Sequence, residues 1–163
     1  MTKKTNFALR VYDGSEDPVT GRRMPDDLHP QMSLYEFWYM YVLPVVLDAG
    51  GAADKNIAQY RESLKLWEEY SGGPALCDID DYTCAEFVSA LKNREWRGKR
   101  VKSNTVRKHC IAVAKCLRLA GPRDYRTPAG QGLIRQVPYM PTPVDTADPP
   151  ARDLSIEEIE AWL

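Results

Sequence analysis

The side chains in this chain with both the type and the spacing to do chemistry are cations. Arg94, Arg97, Lys99, Arg100, Lys102, Arg107, Lys108, Lys115 and Arg118 crowd into residues 94–120, where Glu95 is the only acid. The formal charge of that stretch is plus eight, against zero for 1–32, minus six for 33–93 and minus three for 121–163. A net charge of −1 for 163 residues therefore conceals one concentrated positive site. Such asymmetry points to a polyanionic partner. The other candidates for chemistry are thin. His29 and His109 are too few and too far apart for an acid–base centre. Cys77, Cys84, Cys110 and Cys116 have neither CxxC spacing nor a suitably placed histidine, so reduced, mostly buried thiols are expected. The acids from Asp78 to Asp81 lack the further carboxylates and glycine of a calcium loop and suit a helix start instead. No metal and no cofactor is expected.

The elements that must position these cations are helices. Ser33 and Glu36 form an S-x-x-E capping box ahead of a strongly apolar first helix, which Pro44 should kink or whose regular part it should end, and which Gly50 and Gly51 should close. A second helix is predicted over about Asn56–Tyr70, with Ile57, Tyr60, Leu64, Trp67 and Tyr70 on one side. Lys55 and Gln59 sit opposite, at its N-terminal end, while Glu62, Glu68 and Glu69 make the rest acidic. SerGlyGlyPro at 71–74 should stop it. A third helix should run from an Asp80 cap to Lys92, turning Phe87, Val88 and Leu91 inward. The basic loop then leads to a fourth helix capped by Ser103. Its core stripe is Val106, Cys110, Val113 and Leu117, and its outer face carries Arg107, Lys108, Lys115 and Arg118. The N–H groups at Asn104 and Thr105 open toward the loop, and helix N-termini bind phosphate.

The flanks read differently. Residues 1–32 are rich in turn formers and suggest a loosely ordered arm, with a weak strand pattern at 7–11. Residues 121–153 hold seven of the 12 prolines and no helical period, the composition of an extended linker. Ser155 and Glu158 make a second capping box at 154–163, like the first turns of a further domain that is not in this chain. No apolar run is long enough to span a membrane and the N-terminus has no apolar signal region, so a cytoplasmic protein is expected.

In order and spacing these pieces resemble the tyrosine recombinase, or phage integrase, family. The resemblance runs from about Ser33 to Leu163 and is carried by MSLYEF at 32–37, NIAQYRESLKLW at 56–67, DIDDYTCAEFVSAL at 78–91, VKSNTVRKHCIAVAKCLRLA at 101–120 and RDLSIEEI at 152–159. It implies an all-α, SAM-like core-binding domain of four to five orthogonally packed helices at 33–120, a linker, and a catalytic domain that begins where this chain stops. It also implies double-stranded DNA as partner, with the starts of the second and fourth helices entering its grooves. Lys55, Asn56 and Gln59 would then lie near the duplex with Ser103, Asn104, Thr105 and Arg107. Arg97, Lys99, Arg100, Lys102 and Lys108 would contact phosphates, and Gln59 or Asn104 could read adenine edges. Asn56 and Ser103 are also cap types, and capping is the role expected of them, whereas contact is expected of Lys55 and Gln59. Such recombinases assemble on DNA as oligomers, so the terminal segment could also serve self-association. None of the nine tyrosines stands where the family's nucleophile would, so strand cleavage is expected of the parent protein and not of this polypeptide. The competing expectation, from another class, is a helical protein-interaction module whose basic loop docks an acidic partner.

Overall fold

The computed structural model describes residues 28–143. The weak strand pattern at 7–11 and the second capping box at Ser155 and Glu158 lie outside the described residues. Helix α1 (Leu34–Phe37) opens on the expected capping box: Glu36 N–H donates to Ser33 Oγ at 3.2 Å and Ser33 N–H to Glu36 Oε2 at 2.8 Å. It runs straight into a π-helical segment, Trp38–Asp48, that contains Pro44. Proline has no N–H to donate, and in an α-helix its ring would press on the carbonyl four residues back. The wider winding accommodates it, and Ala49 N–H reaches the Pro44 carbonyl five residues back at 3.3 Å. The regular α-helical part ends at Phe37, ahead of Pro44, and the chain continues helically through the proline in the wider form.

Helix α2 spans Asp54–Ser71 and is closed by Gly72 in the left-handed conformation, φ 78°. A 3₁₀ turn (Leu76–Asp78) leads to α3 (Asp81–Asn93), whose Asp80 cap accepts from Thr83 N–H at 2.8 Å, as expected. Strands β1 (Glu95–Trp96) and β2 (Lys99–Arg100) follow, and then α4 (Ser103–Ala120). The described residues are thus mostly helical, with one two-stranded hairpin. No helix among them is long and apolar enough to cross a membrane.

The core lies where the four helical elements meet. Phe37, Trp38, Leu64, Trp67, Phe87, Leu91, Val106, Val113 and Leu117 are all buried, and Trp67 meets Phe87 edge-on with ring centroids 5.0 Å apart. Edge-to-face pairs at this spacing add to burial because a positive ring edge meets a negative ring face. Every residue of the predicted α4 stripe is inside. Cys84, Cys110 and Cys116 are buried free thiols, and Cys77 is free and exposed. Burial pushes Cys110 up to about 11 and Cys84 up to about 12, so neither is a ready nucleophile.

The described parts of the flanks, 28–32 and 121–143, are more attached than their composition suggests. Met32 is in the core, its carbonyl accepts from Leu76 N–H at 2.9 Å, and Pro30 O accepts from Cys77 N–H at 3.0 Å. Residues 28–32 are therefore bound to the bundle, which corrects the loose arm expected there. Residues 121–143 contain no helix or strand, yet they dock on the helices. The N–H groups of Gln131, Leu133 and Ile134 donate to the carbonyls of Leu119 and Ala120 at 2.8–3.1 Å, taking acceptors that the last turn of α4 leaves open. Ile134 is buried, and Tyr41 Oη donates to the Ala129 carbonyl at 3.0 Å.

Candidate functional site

The basic stretch expected to be a loop is folded. Arg97 and Gly98 form a two-residue turn with φ of 53° and 74°, and Glu95 pairs with Arg100 and Trp96 with Lys99 in an antiparallel register. Positive φ at both central residues matches the twist of two hairpin strands. Asparagine or aspartate usually fills the first of these places, so Arg97–Gly98 gave little warning in the sequence. Val101 N–H extends the ladder to the Arg94 carbonyl at 3.1 Å. Side chains alternate across such a ladder, so Arg94, Trp96, Lys99 and Val101 share one face, Glu95 and Arg100 the other. Arg94 and Val101 are half-buried, which identifies the first face as the one turned toward the helices.

Between the hairpin and helices α2 and α4 lies a cleft of about 650 Å³, lined by that face and by the hairpin's turn and edge, where Arg100 reaches it from the other side of the ladder. Its lining combines Arg94, Arg97, Lys99, Arg100 and Lys102 with Trp96, Val101, Thr105, His109 and a single acid, Glu62. His109 is only 4% exposed and forms the deep end. Its Nδ1 lies 2.8 Å from Ser63 Oγ, and that hydroxyl in turn donates to the Gln59 carbonyl at 2.8 Å. With its one proton spent on the carbonyl, the Ser63 oxygen accepts from His109 Nδ1–H and from Gln59 Nε2 at 3.3 Å. This assignment gives the Ser63 hydroxyl one bond as donor and two as acceptor, and leaves Nε2 of a neutral imidazole as acceptor. Burial holds the His109 pKa below the ordinary imidazole value, Glu62 opposes that shift and Arg94 reinforces it. From sequence His109 is set aside and Ser63 is not singled out; only the packing of α2 on α4 makes them a cluster.

Of the expected contact residues, Arg97, Lys99, Arg100, Lys102 and Thr105 line the cleft. Asn104, Arg107 and Lys108 are exposed around the first turns of α4, and Lys55 is exposed at the second position of α2. Gln59 is half-buried with its amide turned onto Ser63 and 3.4 Å from His109 Nδ1, so a base contact would have to release it.

The capping roles expected of Asn56 and Ser103 are not observed. The N-caps are Ala53 and Lys102, neither of which makes a side-chain cap bond, and Asn56 and Ser103 lie inside their helices. The contrast with Ser33 and Asp80 is informative: the two helices that carry side-chain caps are not the two assigned to a partner. The expectation of open N–H groups at both Asn104 and Thr105 is corrected, since the chain tightens there and Thr105 N–H donates to the Lys102 carbonyl at 2.9 Å, as Asn56 N–H does to the Ala53 carbonyl at 2.8 Å in α2; the positive end of the helix dipole still faces whatever binds there. In α2 the adjacent Asp54 already complements that charge, whereas the first turn of α4 holds no acid. The start of α4, beside the cationic hairpin, is therefore the stronger candidate for an anion site. Among the described residues no group of His, Cys, Asp and Glu could hold a metal ion.

Comparison with protein-family models, with curated proteins and with solved structures finds no match.

Proposed function

We propose that this chain binds double-stranded DNA, and that it does so as the DNA-binding half of a site-specific recombinase whose cleavage chemistry resides in a separate catalytic domain. The reading takes the helical body as the SAM-like, orthogonally packed bundle that the sequence resemblance implies. The observation that carries it is the juxtaposition of the cationic hairpin with the uncapped, acid-free start of α4. Phosphates would take the side chains of Arg97, Lys99, Arg100, Lys102, Arg107 and Lys108 together with the positive end of the α4 dipole, fixing register on the duplex. Asn104, exposed at that same turn, is placed to reach a base edge once the phosphates are held. Lys55 extends the contact from the start of α2.

Titration of duplex DNA at increasing salt tests this. Neutralising about five phosphates gives log K falling against log salt with a slope near −4.5. Arg100→Ala and Lys102→Ala weaken binding about equally on every sequence, whereas Gln59→Ala, if Gln59 leaves the His109 cluster to read a base, costs roughly 1–3 kcal/mol on one specific site only. Binding that is absent at low salt, or indifferent to salt, sinks the proposal. Equal effects of all three substitutions remove the base-reading role of Gln59.

A further inference from the structure

Trp96 is the feature that phosphate binding alone does not explain. It is 61% exposed, at the tip of the hairpin, on the face that looks into the cleft. The guanidinium carbons of Arg94 and Arg97 each lie 5.9 Å from its ring centroid, within cation–π range. A large ring held among cations, beside a cavity within the roughly 300–1,000 Å³ of small-ligand sites, has the composition of a stacking platform. A paired base offers it only an edge, because both faces are covered by the stack. An unpaired base offers a face, and its own phosphate brings the charge that Arg97, Lys99 and Arg100 would neutralise.

We propose that the cleft between the hairpin and helices α2 and α4 receives one unpaired nucleotide of a DNA strand, its base stacked on Trp96 and its phosphate among Arg97, Lys99 and Arg100. This rests on the DNA-binding reading above and adds the form of DNA that the site prefers. Arg97, which is exposed, gives up its place on the ring to the base, while half-buried Arg94 stays. The deep end of the cleft presents His109, whose neutral Nε2 can accept a hydrogen bond from an exocyclic amino group. Stacking tolerates any base, so the preference is for an unpaired nucleotide before it is for a sequence.

The test measures fluorescence anisotropy of three labelled DNAs with the full chain: a paired duplex, the same duplex with one extra unpaired nucleotide, and a short single strand. The bulged duplex is expected to bind roughly 5- to 150-fold more tightly than the paired one, the range that stacking of one base supplies. Trp96→Ala should abolish that gain while leaving paired-duplex affinity within about twofold, and Trp96→Phe should keep most of it. Circular dichroism of each variant confirms that the bundle is intact. If wild-type protein binds paired and bulged duplex equally, the cleft assignment falls and DNA binding stands. If Trp96→Ala weakens both alike, Trp96 is a wedge in ordinary duplex and the assignment also falls. Failure to bind any of the three DNAs overturns both proposals.

Discussion

Replacing Ser63 by alanine isolates the buried cluster on which the cleft is built. Ser63 is fully buried, and its hydroxyl is donor to the Gln59 carbonyl and acceptor from His109 Nδ1 and Gln59 Nε2. The Gln59 carbonyl loses little, since it sits inside α2 and keeps its place in the helical ladder. The loss falls on His109: a ring N–H that is shut off from water then faces only the Gln59 amide nitrogen, 3.4 Å away, which is itself a donor. An unsatisfied buried donor costs about 1–3 kcal/mol, while alanine returns on the order of 0.5 kcal/mol of helix propensity. Net destabilisation should be about 1–2 kcal/mol, at the low end if Gln59 turns its amide oxygen to the ring. Urea unfolding followed by circular dichroism reads this as a lowered midpoint at unchanged slope, and thermal unfolding as a fall on the order of 2–8 °C. The decisive step is the double-mutant cycle. In a His109→Leu background Ser63→Ala has no ring N–H to orphan and should cost little, giving a coupling of about 1 kcal/mol. The same cost in both backgrounds would show that Ser63 and His109 are neighbours without being partners, and the proton assignment would fall.

Two further outcomes concern stability. Ser33→Ala removes the acceptor for Glu36 N–H and half of the capping box, and should cost about 1 kcal/mol by urea denaturation; Ala53→Ser at the uncapped start of α2 should cost nothing and can gain a few tenths. For pH, the folded state holds His109 below its ordinary value of 6.5, so the unfolded chain binds the proton more readily. The stability that neutral His109 contributes is complete above pH 6.5 and is lost as pH falls through the window between that value and the lower folded one. His109→Gln should flatten this part of the stability–pH curve, and an unchanged slope in that variant would assign the titration elsewhere.

What the sequence alone determined here is whatever one helix or one turn writes into neighbouring residues. Val106, Cys110, Val113 and Leu117 recur at the helical period, and that period requires no knowledge of what they pack against. Ser33 with Glu36, and Asp80 with Thr83, are bonds across three residues, so both caps were legible in advance. The same local reasoning misassigned α2 and α4, because it seeks a side-chain cap and these helices begin after Ala53 and Lys102 without one. Pro44 signalled a disturbance correctly, but whether a helix breaks, bends or widens depends on the apolar surface that holds it, here Trp38, Met40, Val42 and Leu47. The charge of 94–102 was evident from composition. Its shape was not: the Arg97–Gly98 turn carries a weak signal, and the hairpin takes its bearing from Arg94 and Val101 against the helices. Gln59 and Ser63 are separated from His109 by about half of the core domain in sequence, and the docking of 121–143 joins Ala129 to Tyr41 across the whole bundle. Such contacts are decided by which helix faces meet, a condition that involves every element at once. The positive charge belongs to the sequence; the cleft that gathers it around Trp96 and His109 belongs to the fold.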